Sequence, residues 1–128
     1  MYPALRPKDW GVTLRIHGAT EIKRGDILVF YSDELKHRLV KRVIGLPQDQ
    51  IICEADGAVY VNGKRLEEPY LKPTAGKKSE YRVPAGKYFL MGDNRAHSYD
   101  SRSFLDPFIP ERAIQGRIIF SLLPFRKI

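Results

Sequence analysis

The sequence predicts an all-β, sheet-rich fold of short antiparallel strands. Short runs of β-branched and aromatic residues are interrupted by glycine or proline every few positions, and apolar residues show almost no helical spacing. We therefore expect at most one or two short helical turns. The 128 residues, 43% hydrophobic and 29% charged, are typical of an ordinary globular chain, so we predict a single domain over residues 1–128.

Three strands are predicted in the first 45 residues. Alternating apolar residues at positions 12, 14 and 16 follow an opening with two prolines, and predict a loop and then a strand. The run 27–31 is β-branched and aromatic and predicts a buried strand after the turn at 23–26. A third strand over 38–44 ends at a glycine and a proline.

Two hairpins in succession are predicted between residues 50 and 71. The dipeptides Asp56-Gly57 and Asn62-Gly63 separate short apolar runs, and both tolerate the positive φ of tight turns. A small, basic stretch over 74–79 then predicts a mobile loop.

Strands at 81–83 and 87–91 follow, and after them the stretch 92–103 is nearly all polar. Such a run between apolar segments is either a functional loop or a solvated one. One helical turn over 110–114, with proline at its first position, and a last strand over 117–122 complete the predicted elements.

Composition limits the possible functions. The formal net charge of +7 suits nucleic acid, phospholipid headgroups or simply a solvated basic protein. The single cysteine, Cys53, excludes an internal disulfide and cannot make a zinc site alone. No apolar run approaches the roughly 18 residues needed to span a bilayer and no signal peptide opens the chain, so we expect it to be soluble as written.

Lys41 is the first candidate for chemistry, because Leu39 and Val43 share its face of the predicted strand. From this segment alone, an edge-strand lysine that stays charged is the favoured interpretation. Burial would have a chemical use, since an apolar pocket lowers a lysine pKa and the neutral amine can deprotonate a serine hydroxyl.

Three segments of the sequence stand out: the opening MYPAL at 1–5, the strand KRVIGLPQD at 41–49 and the loop GDNRAHSYDSR at 92–102. Together, and in this order, they resemble the conserved boxes of type I signal peptidases, which are membrane-anchored bacterial Ser/Lys endopeptidases. RGDILVF at 24–30 and FSLLPF at 120–125 are similar to two further family segments. The resemblance covers nearly the whole chain, and the loop is its most specific part.

Carried over by position, Lys41 matches the general base of the family. Ser98 matches the serine whose hydroxyl orients the lysine, although alone it is an ordinary turn serine. Asp100 and Arg102 match a pair that braces the loop; in isolation they would be a surface ion pair of little value. The other residues assigned to the structural loop are Gly92, Asp93, Asn94 and Ser101, the aspartate and asparagine through local side-chain-to-backbone bonds.

One departure from the family lies at Met1. In relatives the nucleophilic serine immediately precedes the matching methionine, so the chain as written lacks a nucleophile and should be inactive. Either the sequence is part of a longer enzyme or it is a natural relative without the serine. We expect the former, because Lys41 and Ser98 are both retained. A second departure is Gln48, where relatives usually have glycine.

The resemblance implies acyl transfer by the parent enzyme, with no metal or cofactor. His17, His37 and His97 are then not catalytic. Secreted preproteins would bind as extended strands with small residues before the cut. Leu39, Val40 and Pro3 match residues near the substrate, although Leu39 and Val40 are equally consistent with core.

The implied location is the extracytoplasmic face of the cell membrane, with a single-pass anchor in the full-length protein. The phospholipid surface is a second expected partner, through Trp10 and the segment 122–125, although Leu122 and Phe125 are equally consistent with a buried core followed by a solvated tail. The compact region between the lysine strand and the polar loop suggests a Gram-positive type.

Two other functional classes are compatible with parts of the sequence. A non-catalytic homologue that binds extended peptides, in surface-protein or pilus assembly, is the main alternative. Nucleic-acid binding is not expected, because no aromatic-basic recognition motif accompanies the charge.

Overall fold

Antiparallel strands make up nearly all of the regular secondary structure that the computed structural model describes. It describes residues 11–14, 22–68, 76–121 and 126–127, with backbone alone for 11–14, 119–121 and 126–127. The all-β prediction is confirmed. In chain order the strands are β1 (Gly11–Leu14), β2 (Ile27–Ser32), β3 (His37–Gly45), β4 (Gln50–Cys53), β5 (Val59–Val61), β6 (Lys64–Arg65), β7 (Ser79–Arg82), β8 (Lys87–Met91), β9 (Ile109–Pro110), β10 (Ile114–Ser121) and β11 (Arg126–Lys127).

The larger sheet has the strand order β1-β10-β2-β3-β8-β9, and β11 also pairs with β10. In this sheet β3 is central, paired with β2 on one side and β8 on the other. Lys41 lies opposite Leu28 of β2, and Arg42 lies opposite Met91 at the end of β8. The site residues of β3 are therefore held by strands on both sides.

The smaller sheet has the order β6-β5-β4-β7. Its β5–β6 hairpin turns at Asn62 and Gly63, which both have positive φ (53° and 82°), as the Asn-Gly signal predicts. The other predicted hairpin, which comes first along the chain, joins β4 to β5 through a longer loop around Asp56-Gly57, where the glycine has φ 94°.

Two hydrophobic clusters lie on opposite faces of β3 and β8. Val43 and Leu90 belong to the first cluster, together with residues of β2. Ile44 and Phe89 belong to the second, which fills the space against the smaller sheet. Side chains alternate across a strand, so strands buried on both faces read as continuous apolar runs, as 87–91 does.

Gly45 marks the closest approach of the larger sheet to the second cluster. A Cβ at this position would lie 3.0 Å from side-chain atoms of Ile51, Val83 and Phe89. The glycine that ends the predicted strand is thus explained by packing, because any side chain would push these three residues apart.

Several predicted boundaries were wrong. Ser79 begins β7 by pairing with Cys53, so it does not belong to the preceding loop, and Val83 lies outside the strand. The last strand starts at Ile114 and not at 117, and the helical turn is a 3₁₀ turn over Glu111–Ala113. β9 and β11 were missed, because two-residue strands carry no periodic signal.

No helix in the described parts of the chain is long and apolar enough to cross a membrane. Residues 1–10, 15–21, 69–75, 122–125 and 128 lie outside the described residues. The predictions for Met1, Pro3, Trp10, His17 and the segment 122–125 fall there.

Candidate active site

The central strand and the polar loop bring Lys41 and Ser98 together across 57 positions of sequence. Lys41 Nζ lies 3.0 Å from Ser98 Oγ, within hydrogen-bond distance. β3 fixes the lysine backbone, and the loop that follows β8 carries the serine. The pairing that the family resemblance implies is therefore present in the structure.

Lys41 is half-buried, and the pKa of its amine is lowered from the ordinary 10.5. Burial is the largest cause, and the positive charge of Arg102 acts in the same direction. The carboxylates of Asp100 and Asp93 oppose the shift without reversing it. Because β3 is a central strand, the edge-strand interpretation of Lys41 is wrong.

Gly92 provides the space in which these two side chains meet. A Cβ built at this position would lie 2.0 Å from Ser98 Oγ and 3.3 Å from Lys41 Nζ. No other residue type leaves this volume empty, so glycine here is required by clearance.

Asp100 is completely buried beneath the pair. Its Oδ2 accepts hydrogen bonds from the Gly92 N–H at 2.9 Å and from Arg102 Nη2 at 2.8 Å, and its Oδ1 accepts one from Arg102 Nε at 2.9 Å. Burial alone would raise the pKa of Asp100, but these bonds, the charge of Arg102 and a bond from the Ser98 hydroxyl hold it below its ordinary value. Asp100 and Arg102 are thus not a surface ion pair.

Ser101 attaches the loop to the sheet. Its Oγ accepts a hydrogen bond from the Leu90 N–H at 2.9 Å, and its own N–H donates to the Leu90 carbonyl at 3.1 Å. Ser101 is completely buried and therefore cannot serve as a nucleophile in this structure.

A buried ion pair that the sequence did not suggest joins β3 to the loop. Arg42 Nε and Nη2 donate to the two carboxylate oxygens of Asp93 at 2.9 and 2.8 Å, with the side chains 7% and 0% exposed. Asp93 was expected to bond to nearby backbone, but its partner is 51 positions away. The feature of the sequence that could have indicated this ion pair is the position of Arg42 directly after Lys41.

A second unpredicted pair, Arg95 with Glu68, anchors the loop from the other side. Arg95 donates to both oxygens of Glu68, at 3.0 and 2.5 Å, and the two side chains are 2% and 9% exposed. Arg95 Nε also donates to the Gly92 carbonyl at 2.8 Å. Nothing local in the sequence links these positions, which lie 27 residues apart.

The remaining predicted residues lie nearby or are exposed. Asn94 precedes the 3₁₀ turn Arg95–His97 and makes no side-chain capping bond, contrary to the expectation of local bonds. His97 is exposed. Leu39 is half-buried and packs against the first hydrophobic cluster, and Val40 is half-buried on the opposite face of β3. Their substrate roles remain predictions.

A cleft of about 460 Å³ opens beside Ser98. Its walls come from the polar loop, the end of β8 and the facing strands β4 and β7, and include Cys53, Tyr81 and Met91. Its volume falls in the roughly 300–1,000 Å³ range of ligand sites in proteins. Burial raises the pKa of the Cys53 thiol, which keeps that group in its neutral form.

The antiparallel sheets and the contact between Lys41 and Ser98 indicate the same class of protein as the sequence resemblance does. The sequence model described as "Signal peptidase, peptidase S26" matches residues 1–123. The chain belongs to this family.

Curated relatives and a solved structure agree with this assignment. The chain is 40% identical to signal peptidase I of Bacillus licheniformis over 119 residues, covering 84% of this chain and 63% of the relative. It is 36% identical to signal peptidase I T of Bacillus subtilis strain 168, covering 100% of this chain and 72% of that protein. A crystal structure of a signal peptidase I from Enterococcus faecalis V583 superposes with a TM-score of 0.61 at 30% identity, covering 75% of this chain and 95% of that one.

The chain spans slightly less than two thirds of the first two curated relatives that it matches, at 63% and 64% of their lengths. The Bacillus and Enterococcus sources of these relatives support the Gram-positive prediction.

Proposed function

We propose that this chain forms the catalytic domain of a signal peptidase I, a serine endopeptidase that removes signal peptides from secreted preproteins. The observation that carries the proposal is the half-buried Lys41 amine, with a lowered pKa and a 3.0 Å contact to Ser98. A lowered pKa favours the neutral form of the amine, and this is the form that can accept a proton from a serine hydroxyl.

The proposed mechanism uses a serine placed immediately before Met1. Neutral Lys41 takes the proton of that serine hydroxyl as the oxygen attacks the scissile carbonyl, and the ammonium then protonates the leaving amine. A water molecule, deprotonated by Lys41, then attacks the acyl-enzyme carbonyl; the ester bond breaks, the signal peptide leaves, and the Lys41 ammonium returns the proton to the serine oxygen. Ser98 accepts a hydrogen bond from Lys41 and thereby fixes the direction of its lone pair.

The loop residues support this geometry by holding Ser98 in place. Asp100 accepts from Ser98 on one side and from Arg102 on the other, so the serine has one preferred orientation. Gly92 leaves room for the Ser98 side chain, since a Cβ at this position would lie 2.0 Å from Ser98 Oγ. The chemistry proposed needs no metal and no cofactor.

The preprotein would bind as an extended strand, with small residues before the cut and with Pro3, Leu39 and Val40 beside it. The site of action would be the extracytoplasmic face of the membrane, where an apolar anchor holds the full-length protein and the phospholipid surface supplies the second contact. The positive net charge suits an anionic lipid surface.

The test uses a serine-extended protein, defined as this chain preceded by a serine and an apolar anchor segment. We expect it to cleave a preprotein in detergent or vesicles, and we expect the 128-residue chain alone to cleave nothing. Lys41→Ala should abolish cleavage, whereas Lys64→Ala, a change at an exposed lysine of β6, should not.

Full activity of the Lys41→Ala variant would contradict the assignment of the base. Failure of the serine-extended protein to cleave any preprotein, combined with binding of extended peptides, would instead favour a non-catalytic relative that acts in surface-protein or pilus assembly.

A further inference from the structure

The cleft beside Ser98 has a lining with two chemically different parts. Its apolar part is formed by residues of β4, β5, β7 and the end of β8, including Val59, Tyr81 and Met91. The lining also carries four cationic side chains, Lys77, Lys78, Arg95 and Arg102. Among the described lining residues, Glu54 is the only carboxylate.

The two arginines already form ion pairs with carboxylates inside the protein. Arg95 is held by Glu68 and Arg102 by buried Asp100, in short bonds that fix both guanidinium groups. Their positive charge is therefore largely balanced inside the protein and serves the loop.

The two lysines differ from the arginines in this respect. Both are exposed, and Lys78 makes only a long contact of 3.8 Å with Glu54. Lys77 makes no ion pair among the described residues. A chain segment entering the cleft thus meets two lysines directly before β7: Lys77, which has no ion-pair partner among the described residues, and Lys78, whose contact with Glu54 is long.

We propose that Lys77 and Lys78 are specificity-determining residues that favour polypeptide substrates carrying an aspartate or glutamate side chain in this cleft. The inference rests on the proposed function: Ser98 lines this cleft and contacts the proposed base Lys41 at 3.0 Å, although Lys41 itself is not part of the lining. The apolar part accepts the aliphatic portion of the segment, and the lysines attract its carboxylate.

The effect is modest and sensitive to salt. Exposed ion pairs are weak, so each lysine contributes about a two- to fivefold preference. Screening over roughly 8 Å at physiological ionic strength reduces it further as salt rises.

The experiment compares peptides that are identical except for Glu or Gln at one position, moved stepwise across both sides of the scissile bond. Cleavage by the serine-extended protein gives kcat/KM for each pair, and titration calorimetry with the 128-residue chain gives the affinity without turnover. At the position that reaches the cleft, we expect Glu to exceed Gln in both measurements. The preference should disappear in the Lys77→Ala/Lys78→Ala variant and should persist in Lys64→Ala.

Equal values for Glu and Gln at every position would overturn the inference, as would a preference that survives the double lysine variant. If no peptide is cleaved, the proposed function fails, while the calorimetric comparison still decides whether the lysines select a carboxylate.

Discussion

Ser98 connects the Lys41 amine to the buried carboxylate of Asp100. The lysine donates to Ser98 Oγ, and the Ser98 hydroxyl bonds to Asp100, which Arg102 holds in place. Because Ser98 bonds to Lys41 on one side and to Asp100 on the other, its hydroxyl has little rotational freedom. The Lys41 amine, which bonds to Ser98, is therefore also confined. At the scale of single residues, the site thus consists of a lysine held in position by Ser98 and of the room that Gly92 leaves for these two side chains.

We predict that Ser98→Ala lowers kcat of the serine-extended protein about 100-fold, because the amine loses its positioning bond. Preprotein cleavage checks the rate, and thermal unfolding checks that the fold persists. The matched control is His97→Ala, which changes the exposed neighbour in the same loop and should leave the rate unchanged. An unchanged rate in Ser98→Ala would reduce Ser98 to a loop residue.

Gly92→Ala should be as harmful as the loss of Ser98, although it removes no functional group. The added methyl carbon would lie 2.0 Å from Ser98 Oγ, so the serine must move away from Lys41. We expect a loss of about 100-fold in kcat, together with a shifted pH–rate profile, since the environment of Lys41 changes. A variant with wild-type kcat and pH profile would show that the clearance is not needed.

At the scale of elements, the turn between β3 and β4 has a conformation that its sequence does not favour. The Asp49 N–H donates to the Leu46 carbonyl, Pro47 occupies the second position, and Gln48 has φ 77° at the third. This is the arrangement of a type II turn, which normally places glycine at the third position. The glycine that the family resemblance leads us to expect here therefore has a conformational reason.

Gln48→Gly should accordingly stabilise the protein by about 0.5–1 kcal/mol, because relief of the left-handed strain outweighs the entropy cost of glycine. Urea unfolding measures the change. Gln48→Ala is the matched control, since it removes the side chain but keeps the Cβ and should give no such gain. A destabilised Gln48→Gly variant would mean that the glutamine side chain holds the turn.

At the scale of the whole molecule, two hydrophobic clusters and a few buried carboxylates hold the sheets and the loop together. Asp49 accepts bonds from Arg24, the Leu46 N–H and Asn62, linking the β3–β4 turn to the β5–β6 hairpin. Burial would raise the pKa of Asp49, but these bonds lower it overall. Asp100 behaves in the same way in the loop.

The protein should therefore lose stability in acid. Carboxylates whose folded-state pKa is lowered contribute stability above their unfolded pKa of about 3.9, and the contribution is lost as the pH falls through the folded value. Urea unfolding between pH 7 and pH 2 should show a steep decline below about pH 4, and the decline should be shallower in Asp49→Asn. Identical slopes for the two proteins would remove Asp49 from the explanation.

Much of this architecture follows from local sequence. Strands β2, β3 and β8 were predicted within a residue or two, because runs such as 27–31 contain β-branched and aromatic residues between glycine-bearing turns. The pairing of Lys41 with Ser98 came from the family resemblance and not from spacing. No local pattern reports a contact across 57 positions.

The buried charge pairs could not be predicted for the same reason. Arg42 can pair with Asp93, and Arg95 with Glu68, only because the fold aligns β3 with β8. The central position of β3, which decides whether Lys41 is solvated, likewise depends on strand order and not on the residues around the lysine.

The central claim, that Lys41 is a base prepared by burial, is tested most directly by NMR titration of its ε-amine in the 128-residue chain. The signal is assigned by its loss in Lys41→Arg. We predict a pKa below 10.5, because desolvation outweighs the attraction of Asp100 and Asp93. A titration at or above 10.5 would show a charged lysine at neutral pH and contradict its role as the general base.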